Sequence, residues 1–241
     1  MTSKETPPAP TIGVLAGMGP RSTAPFIDML VTQCQRQYGA RDDMDFPRMH
    51  IISLPTPFYP GREIDRALMI KCLRSGITDL VNVGAAFIAV PCNLAHAYFD
   101  DMRAAAEGVD ILHIADCAVD RLPDTARRVA LLATRPTLSS GIYAHRLHEA
   151  GKDVVHSPAI DEMTASLIAG IKASGYRDQQ VLALWRDLQN ELERSAAEAV
   201  LVACTDISPL LVEPSRRFSI IDTAESLAIE TISKYVGILN A

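Results

Sequence analysis

Short apolar runs alternate with segments of helical periodicity along the whole sequence, and this alternation leaves few folds open. Eight runs are rich in the β-branched and aliphatic residues that strands favour. They cover residues 11–17, 49–55, 85–92, 110–116, 128–134, 154–159, 199–204 and 218–223. Several are apolar throughout, as strands covered on both faces are. The clearest helical pattern covers 178–197, where Trp185 belongs to an apolar stripe that we expect to face the core. Together these patterns predict an α/β fold with mainly parallel sheets flanked by helices.

An internal repeat relates the two halves of the chain. The stretch GVLAGMGPRST from Gly13 resembles ALLATRPTLSS from Ala130, and AVPCNLA around Cys92 resembles LVACTDI around Cys204. In both halves the first stretch reads as a strand followed by a turn, and the second as a strand followed by a cysteine. Such self-similarity is the mark of repeated structural units. We therefore expect two pseudosymmetric lobes of about four strands each, in which Cys92 and Cys204 hold equivalent positions.

The composition excludes several classes of protein. Of the 241 residues, 48% are hydrophobic and 22% charged, which allows a full core. A net charge of −6 and a sequence pI near 5.5, without clustered Lys and Arg, argue against nucleic-acid binding. No apolar stretch approaches the roughly 20 residues that span a bilayer, and the polar start lacks the apolar region of a signal peptide. We expect a cytoplasmic protein without membrane partners, led by a disordered segment at residues 1–10.

Two of the five cysteines are candidates for catalysis. Without CxxC spacing, neither a disulfide framework nor a structural zinc site is expected, and Cys34, Cys72 and Cys117 are interpreted as packing residues. Cys92 and Cys204 each end a strand and begin a helix, where parallel α/β proteins bind ligands. The helix N-terminus is expected to lower the thiol pKa. Two such thiols across one cleft would remove a proton from one face of a carbon and deliver one to the other. This is the logic of a two-base racemase or epimerase, which needs no metal or organic cofactor.

The turns after the first strand of each half are candidate anion sites. AGMGPRST, at 16–23, offers backbone amides, although it lacks the GxGxxG spacing and the lysine of a P-loop. In its counterpart ATRPT, at 133–137, Thr134 and Thr137 offer hydroxyls. Either turn therefore suits a ligand that carries a carboxylate.

Three histidines give weaker alternatives. His96 lies four residues after Cys92 and would be the base of a Cys–His hydrolase, but such an enzyme has no use for a second cysteine. His145 and His148 have helical spacing without a third ligand, and are expected on a solvated helix face rather than in a zinc site.

Four motifs occur along the chain in a characteristic order and spacing, namely IGVLAGMGP, PCNLAH, LLATRPTLSSGIY and ACTDIS. Together they resemble the PLP-independent aspartate/glutamate racemase family, and specifically its aspartate racemase branch. The resemblance runs from Thr11 to the C-terminus. It implies two pseudosymmetric lobes with the active site between them, the C-terminal helix returning to the first lobe, and often a homodimer. Residues 11–117 and 222–241 would then form the first lobe, and residues 118–221 the second.

The resemblance also implies a reaction and a site. Cys92 and Cys204 become an acid/base pair that interconverts L- and D-aspartate, or glutamate or a related amino acid, with each thiol acting as base for one enantiomer. Asn93 and Thr205 look like the residues that hold the substrate's amino and carboxylate groups. A further set looks like partners for the distal carboxylate and the rest of the substrate. This set comprises Arg62, Lys172, Thr134, Leu94 and the backbone at Met18.

Leu94 departs from the family pattern, which has threonine after the asparagine. Its backbone N–H still suits an anion, but the lost hydroxyl contact is worth roughly 1 kcal/mol. The change puts strict aspartate specificity in doubt and admits a bulkier, more apolar substrate side chain. The smaller departures are Ala16, Ala203 and Asp206, in AGMGP and ACTD.

Two other functions stay open from the sequence. Decarboxylases and maleate isomerases of the same superfamily act on carboxylates, and the pair of cysteines argues against the former more than the latter. A two-lobed protein that binds carboxylates without catalysis, its cysteines incidental, is the alternative from another class.

Overall fold

Eight strands form two separate sheets in a computed structural model of the chain, which describes residues 9–59, 61–211 and 217–240. The strands of the first sheet are β1 (Ile12–Ala16), β2 (Met49–Ser53), β3 (Phe87–Ala89) and β4 (Asp110–Leu112). Their order is β2-β1-β3-β4, and every pairing is parallel. All five residues of β1 are buried because β1 lies inside the sheet between β2 and β3.

The second sheet repeats the first in order and direction. Its strands are β5 (Arg128–Ala133), β6 (Asp153–Val154), β7 (Ala199–Ala203) and β8 (Ser219–Asp222). Their order is β6-β5-β7-β8, again with parallel pairings. The inner pair β5 and β7 corresponds to β1 and β3, which agrees with the internal repeat. The expected α/β class, with two four-stranded parallel sheets, is confirmed.

Nine α-helices connect the strands within the described ranges. In the first half they are α1 (Thr23–Tyr38), α2 (Arg66–Asn82), α3 (Phe99–Ala105) and α4 (Ile114–Val119). In the second they are α5 (Arg135–Ser139), α6 (Ile142–Glu149), α7 (Pro158–Ser174), α8 (Gln179–Arg194) and α9 (Thr223–Leu239). The helix expected over 178–197 is α8, with Asp178 as its N-cap and Trp185 buried against the second sheet, as its apolar stripe predicted.

Local sequence signals fix several helix ends. Asp65, Ser157 and Asp178 each accept a hydrogen bond from a backbone N–H in the first turn of α2, α7 and α8 respectively. These caps satisfy donors that a helix cannot satisfy itself. At the other end of α1, Gly39 has a φ of 76°, a left-handed conformation that glycine adopts without steric cost. The helices thus begin and end where short polar residues and glycine permit.

The C-terminal helix α9 packs away from the sheet that precedes it. It follows β8 of the second sheet directly, yet its buried residues join the core formed by β1, β3 and α1. Helix α9 therefore packs with the first sheet although it follows the second in the sequence. The leader expected at residues 1–10 lies mostly outside the described residues, which begin at residue 9. Among the helices described, none is both long and apolar enough to cross a membrane.

Candidate active site

A cavity of about 350 Å³ lies where the carboxyl ends of four inner strands meet. Gly17, Cys92, Thr134 and Cys204, which line it, come shortly after β1, β3, β5 and β7 respectively. In a parallel sheet the carboxyl ends of all strands lie at the same edge. Since strand ends from both sheets line this cavity, the two sheets face each other across it. The two cysteines that the repeat places at equivalent positions therefore line one cavity.

The Cys92 thiol sits at the start of a short 3-10 helix. The residue lies between β3 and the 3-10 turn Leu94–Tyr98, and the regular helix α3 begins only at Phe99. The backbone N–H groups of Ala95 and Leu94 hydrogen-bond to the thiol and stabilise its charged form. Burial nevertheless dominates and raises the pKa of Cys92 to about 11. The expectation of a lowered thiol pKa is therefore wrong for Cys92.

Cys204 is more deeply buried than Cys92. Its side chain follows β7 directly, and the residue is 8% exposed, whereas Cys92 is half-buried. Burial raises the pKa of Cys204 well above its usual range, and the nearby Asp206 carboxylate raises it further. The backbone N–H of Asp206 and the ammonium of Lys172 act in the opposite direction without reversing the shift. No regular helix follows at once, since the next helical turn is the 3-10 segment Ser208–Leu210.

Lys172 and Asp206 form an ion pair in the cavity wall. The distance from Lys172 Nζ to Asp206 Oδ2 is 2.7 Å, and the Asp206 side chain is 4% exposed. Burial lowers the pKa of Lys172, but the adjacent Asp206 carboxylate outweighs this, so the pKa is raised and the ammonium stays charged. Gly19 lies close to the pair: a side chain at this position would place its Cβ only 2.9 Å from Lys172 Nζ. Lys172, implied as a ligand for a distal carboxylate, thus already holds a carboxylate of the protein.

Asn93 lines the cavity but is also part of a buried hydrogen-bond chain. Its amide Nδ2 donates to Thr223 Oγ1 at 3.0 Å, and its Oδ1 accepts from the Tyr143 hydroxyl. Thr223 Oγ1 in turn donates to the carbonyl of Val202 at 2.9 Å. Because Val202 precedes Cys204 by two residues, this chain connects the loop of one cysteine to the strand that carries the other.

Thr205 makes the reverse connection. Its hydroxyl donates to the carbonyl of Pro91 at 3.1 Å, and Ser22 Oγ lies 3.3 Å from the same hydroxyl oxygen. Pro91 directly precedes Cys92. Thr205 therefore binds the backbone before Cys92, just as Asn93 is linked through Thr223 to the backbone before Cys204. Thr205 is not among the residues that line the cavity, unlike Asn93.

The other residues implied as substrate contacts are divided between the cavity and its surroundings. Met18, Leu94, Thr134 and Lys172 line the cavity with the cysteines, and so does Thr137. Gly17, beside Met18, has a φ of 89°, and a Cβ there would come within 2.5 Å of the Leu54 backbone nitrogen. Only glycine therefore lets β1 end so close to the chain after β2.

Arg62 does not line the cavity that holds the cysteines. The residue is exposed, its guanidinium lies 5.4 Å from the centroid of the Tyr59 ring, and it lines a neighbouring cavity with Arg135. Phe58 and Thr134 form part of both walls. In this structure the arginine implied for the distal carboxylate thus faces a different space.

The histidines and the remaining cysteines lie outside the site. His96 is buried, bonds through Nε2 to the Val90 carbonyl, and has its pKa lowered to about 3 by burial. It does not line the cavity, which disfavours a Cys–His pair with Cys92. His145 pairs with Glu149 on an exposed face of α6. Across the described residues, no cluster of His, Cys, Asp or Glu suits a metal ion.

Several functional neighbours were missed by reasoning from the sequence. Asp206 was noted only as a small departure in ACTD, although its position two residues after Cys204 was a signal. Phe58 and Met69, which line the cavity, come from the chain after β2 and from α2, which no motif marked. Tyr143 and Thr223 reach Asn93 from distant parts of the chain.

Comparisons with known proteins agree with this architecture. Residues 15–231 match the model of a family described as Asp/Glu/hydantoin racemase. The broad specificity amino-acid racemase RacX of Bacillus subtilis (strain 168) is 40% identical over 226 residues, which cover 94% of this chain and 98% of that protein.

Two solved structures share the fold. The aspartate racemase of Picrophilus torridus superposes with a TM-score of 0.78 at 24% identity, covering 94% of both chains. An aspartate racemase homologue from Pyrococcus horikoshii OT3 gives 0.72 at 23% identity, covering 94% of this chain and 99% of that one. With the family match over most of its length, the chain belongs to the Asp/Glu/hydantoin racemase family and is an isomerase.

Proposed function

We propose that this chain racemises amino acids by moving the proton of Cα between Cys92 and Cys204, without a metal or an organic cofactor. The observation that carries the proposal is that both thiols line one cavity, each at the end of an equivalent strand. One thiolate takes the proton from one face of Cα, and the electron pair of the broken C–H bond is delocalised into the adjacent carboxylate. The opposite thiol then donates its proton to the other face, so the roles of the two sulfurs exchange.

The reaction needs one thiolate and one thiol, whereas burial keeps both groups protonated in the free protein at neutral pH. We infer that the substrate supplies the missing stabilisation. Its α-ammonium brings a positive charge into an enclosed site, and a nearby cation lowers the pKa of a thiol. The amide N–H groups that face Cys92 add to this effect once the thiolate forms.

The substrate's α-carboxylate would be held by groups at the strand ends. Thr134 lines the cavity as the N-cap of α5, and its hydroxyl lies 2.8 Å from that of Thr137, so one of these two hydroxyls keeps a proton to donate to an anion. Asn93 keeps one amide hydrogen beyond the bond to Thr223, since its NH₂ has two donors. For Thr205 we propose an indirect role: it holds the Pro91 carbonyl and so the loop of Cys92.

The 40% identity to RacX, an enzyme named for broad specificity toward amino acids, supports an amino acid as the substrate class. Aspartate is the substrate implied by the motif resemblance and stays a prediction. A homodimer and a cytoplasmic location likewise stay predictions. We keep lobe boundaries at 11–117 with 222–241 and at 118–221, supported by the packing of α9 on the first sheet.

The two-thiol mechanism is tested by replacing each cysteine with serine and supplying one pure enantiomer at a time in D₂O. We expect Cys92→Ser and Cys204→Ser each to lower racemisation by about 10²- to 10⁴-fold, the usual contribution of an acid/base group. Each variant should still exchange the Cα hydrogen of one enantiomer, and the two variants should exchange opposite enantiomers. Chiral chromatography and proton NMR measure the two processes.

The matched control is Cys72→Ser, since Cys72 is half-buried and does not line the cavity. It should racemise at the rate of the unaltered protein. Full activity in either active-site variant would refute the mechanism. So would turnover of maleate, or saturable carboxylate binding, in a protein that racemises no amino acid.

A further inference from the structure

We propose that the preferred substrate carries an uncharged, mainly aliphatic side chain, so that leucine or methionine is converted faster than aspartate or glutamate. The inference rests on the racemase activity proposed above and names the substrate class of that site. It follows from the charge balance and the lining of the cavity that holds the two cysteines.

The cavity wall has no charge left over for an acidic side chain. Among the described residues that line it, the charged side chains are Lys172 and Asp206. They lie 2.7 Å apart, so their charges cancel. A neutral amino acid is a zwitterion and enters without adding net charge. Aspartate brings an additional carboxylate, which would have to share Lys172 with the carboxylate of Asp206, itself 4% exposed.

The ion pair packs closely against Gly19 and Phe58, and moving Lys172 away from Asp206 to reach a substrate would be unfavourable. Gly19 lies so close that an added Cβ would be 2.9 Å from Lys172 Nζ and 3.1 Å from Asp206 Oδ1. On another side, the ammonium lies 5.5 Å from the centroid of the Phe58 ring. If Lys172 left Asp206, the carboxylate would be buried without its partner, which is a strongly unfavourable arrangement.

Much of the remaining lining is apolar, and the uncharged hydroxyl residues Ser53 and Thr56 also belong to it. Met69 and Leu94 are 2% and 9% exposed, and Met18, Phe58 and Ala95 complete the apolar wall. Leu94 stands where the family pattern has a threonine hydroxyl. Arg62, the second cation implied for a distal carboxylate, lines the neighbouring cavity instead. Apolar surface of this kind favours aliphatic groups and cannot compensate a carboxylate for its lost hydration.

The first test compares substrates with the unaltered protein. Values of kcat/KM are measured by chiral chromatography for the L-enantiomers of leucine, methionine, aspartate, glutamate and lysine. We expect leucine or methionine to exceed both acidic amino acids by at least about tenfold, a difference equivalent to about 1.4 kcal/mol. Preference for aspartate, glutamate or lysine would overturn this inference and leave the racemase function intact. Absence of racemisation throughout the panel would overturn the proposed function, and the inference with it.

The second test changes the charge balance. Asp206→Asn leaves Lys172 without its anion, so the ratio of kcat/KM for aspartate to that for leucine should rise at least about tenfold. The matched control is the double variant Asp206→Asn with Lys172→Met, in which the ratio should return to the value of the unaltered protein. Because each ratio is taken within one protein, a general loss of activity cancels. An unchanged ratio in Asp206→Asn would contradict the proposed role of the pair.

Discussion

Cys92 and Cys204 hold equivalent places in the two sheets, but their surroundings differ. Cys92 is half-buried and its thiol accepts hydrogen bonds from two backbone N–H groups, whereas Cys204 is buried beside the Asp206 carboxylate. The pKa of Cys204 is consequently raised further than that of Cys92. The repeat in the sequence located both thiols, but it contained no information on burial, which here outweighs the effect of the adjacent N–H groups.

The raised pKa of Cys92 predicts how its reaction with iodoacetamide depends on pH. Only the thiolate reacts, and below the pKa its fraction increases about tenfold per pH unit. With the pKa near 11, the labelling rate of Cys92 should rise by this factor for each unit between pH 7 and pH 9. Mass spectrometry of the peptide that contains Cys92 measures the rate.

Free cysteine, with a pKa of about 8.5, serves as the reference and should approach its maximal rate near pH 9. A labelling rate for Cys92 that levels off below pH 8 would show instead that the thiol is activated in the free protein. Aspartate and leucine, added separately at saturating concentration, should protect Cys92 only if they enter the cavity.

At the scale of elements, hydrogen bonds between loops and strands hold the cysteines relative to one another. Thr223, at the first position of α9, accepts from Asn93 and donates to Val202. Replacing it with valine keeps the shape but leaves two buried polar groups unsatisfied, so Thr223→Val should lower the free energy of unfolding by about 1–3 kcal/mol. A displacement of the Cys92 loop should also lower kcat/KM by about tenfold or more.

Thr231→Val is the matched control for this change. Thr231 is equally buried on α9, but its hydroxyl donates only to the Leu227 carbonyl one turn earlier. Loss of this hydrogen bond in Thr231→Val should change kcat/KM little. Urea denaturation and steady-state kinetics on both variants separate the two effects. Equal activities of the two variants would contradict a positioning role for Thr223.

The sequence predicted the regular elements better than the connections between them. Seven of the eight apolar runs contain a whole strand, whereas the run 154–159 overlaps β6 only at Val154. The inner strands β1 and β7 are buried throughout, and such strands are recognised from their continuous apolar sequence. The α-helices expected directly after the cysteines are absent from these described stretches, where 3-10 turns form at Leu94–Tyr98 and Ser208–Leu210 instead. Arg62 was expected in the site but lies in the connection between β2 and α2, whose path no periodicity determines. The pairing of Lys172 with Asp206 depends on contacts between α7 and the end of β7, which a single sequence does not reveal.

On the scale of the whole molecule, α9 makes the first half depend on the end of the chain. Leu227, Ala228 and Ile232 are fully buried in a cluster with Ile12 and Phe26 of the first half. Burying a leucine or isoleucine side chain contributes about 1.5–3 kcal/mol, so Leu227 and Ile232 alone supply a large part of the net stability of a domain. The first sheet therefore cannot complete its core until the second has been connected to it.

Leu227→Ala should consequently destabilise both halves together. A buried Leu→Ala change costs about 2–5 kcal/mol. The single tryptophan, Trp185, lies in the core of the second sheet and reports on that half by fluorescence. The midpoint of its transition in urea should fall together with that of the circular dichroism signal.

Leu239→Ala, at a position that is 50% exposed on the same helix, is the control and should leave the midpoint almost unchanged. If the Trp185 transition kept its midpoint in Leu227→Ala while the circular dichroism signal moved, the two halves would unfold independently. That result would contradict the coupling through α9.

The different environments of the two thiols affect kcat and KM for the two enantiomers, but the equilibrium between the enantiomers limits by how much. Two enantiomers have the same free energy in water, so the equilibrium constant between them is one, whatever the protein does. The Haldane relation then requires kcat/KM to be equal for the two directions. The deeper burial of Cys204 can therefore make kcat and KM differ between L- and D-substrates, but only by the same factor. Progress curves started from either enantiomer should share their initial slope at low concentration and diverge at saturation.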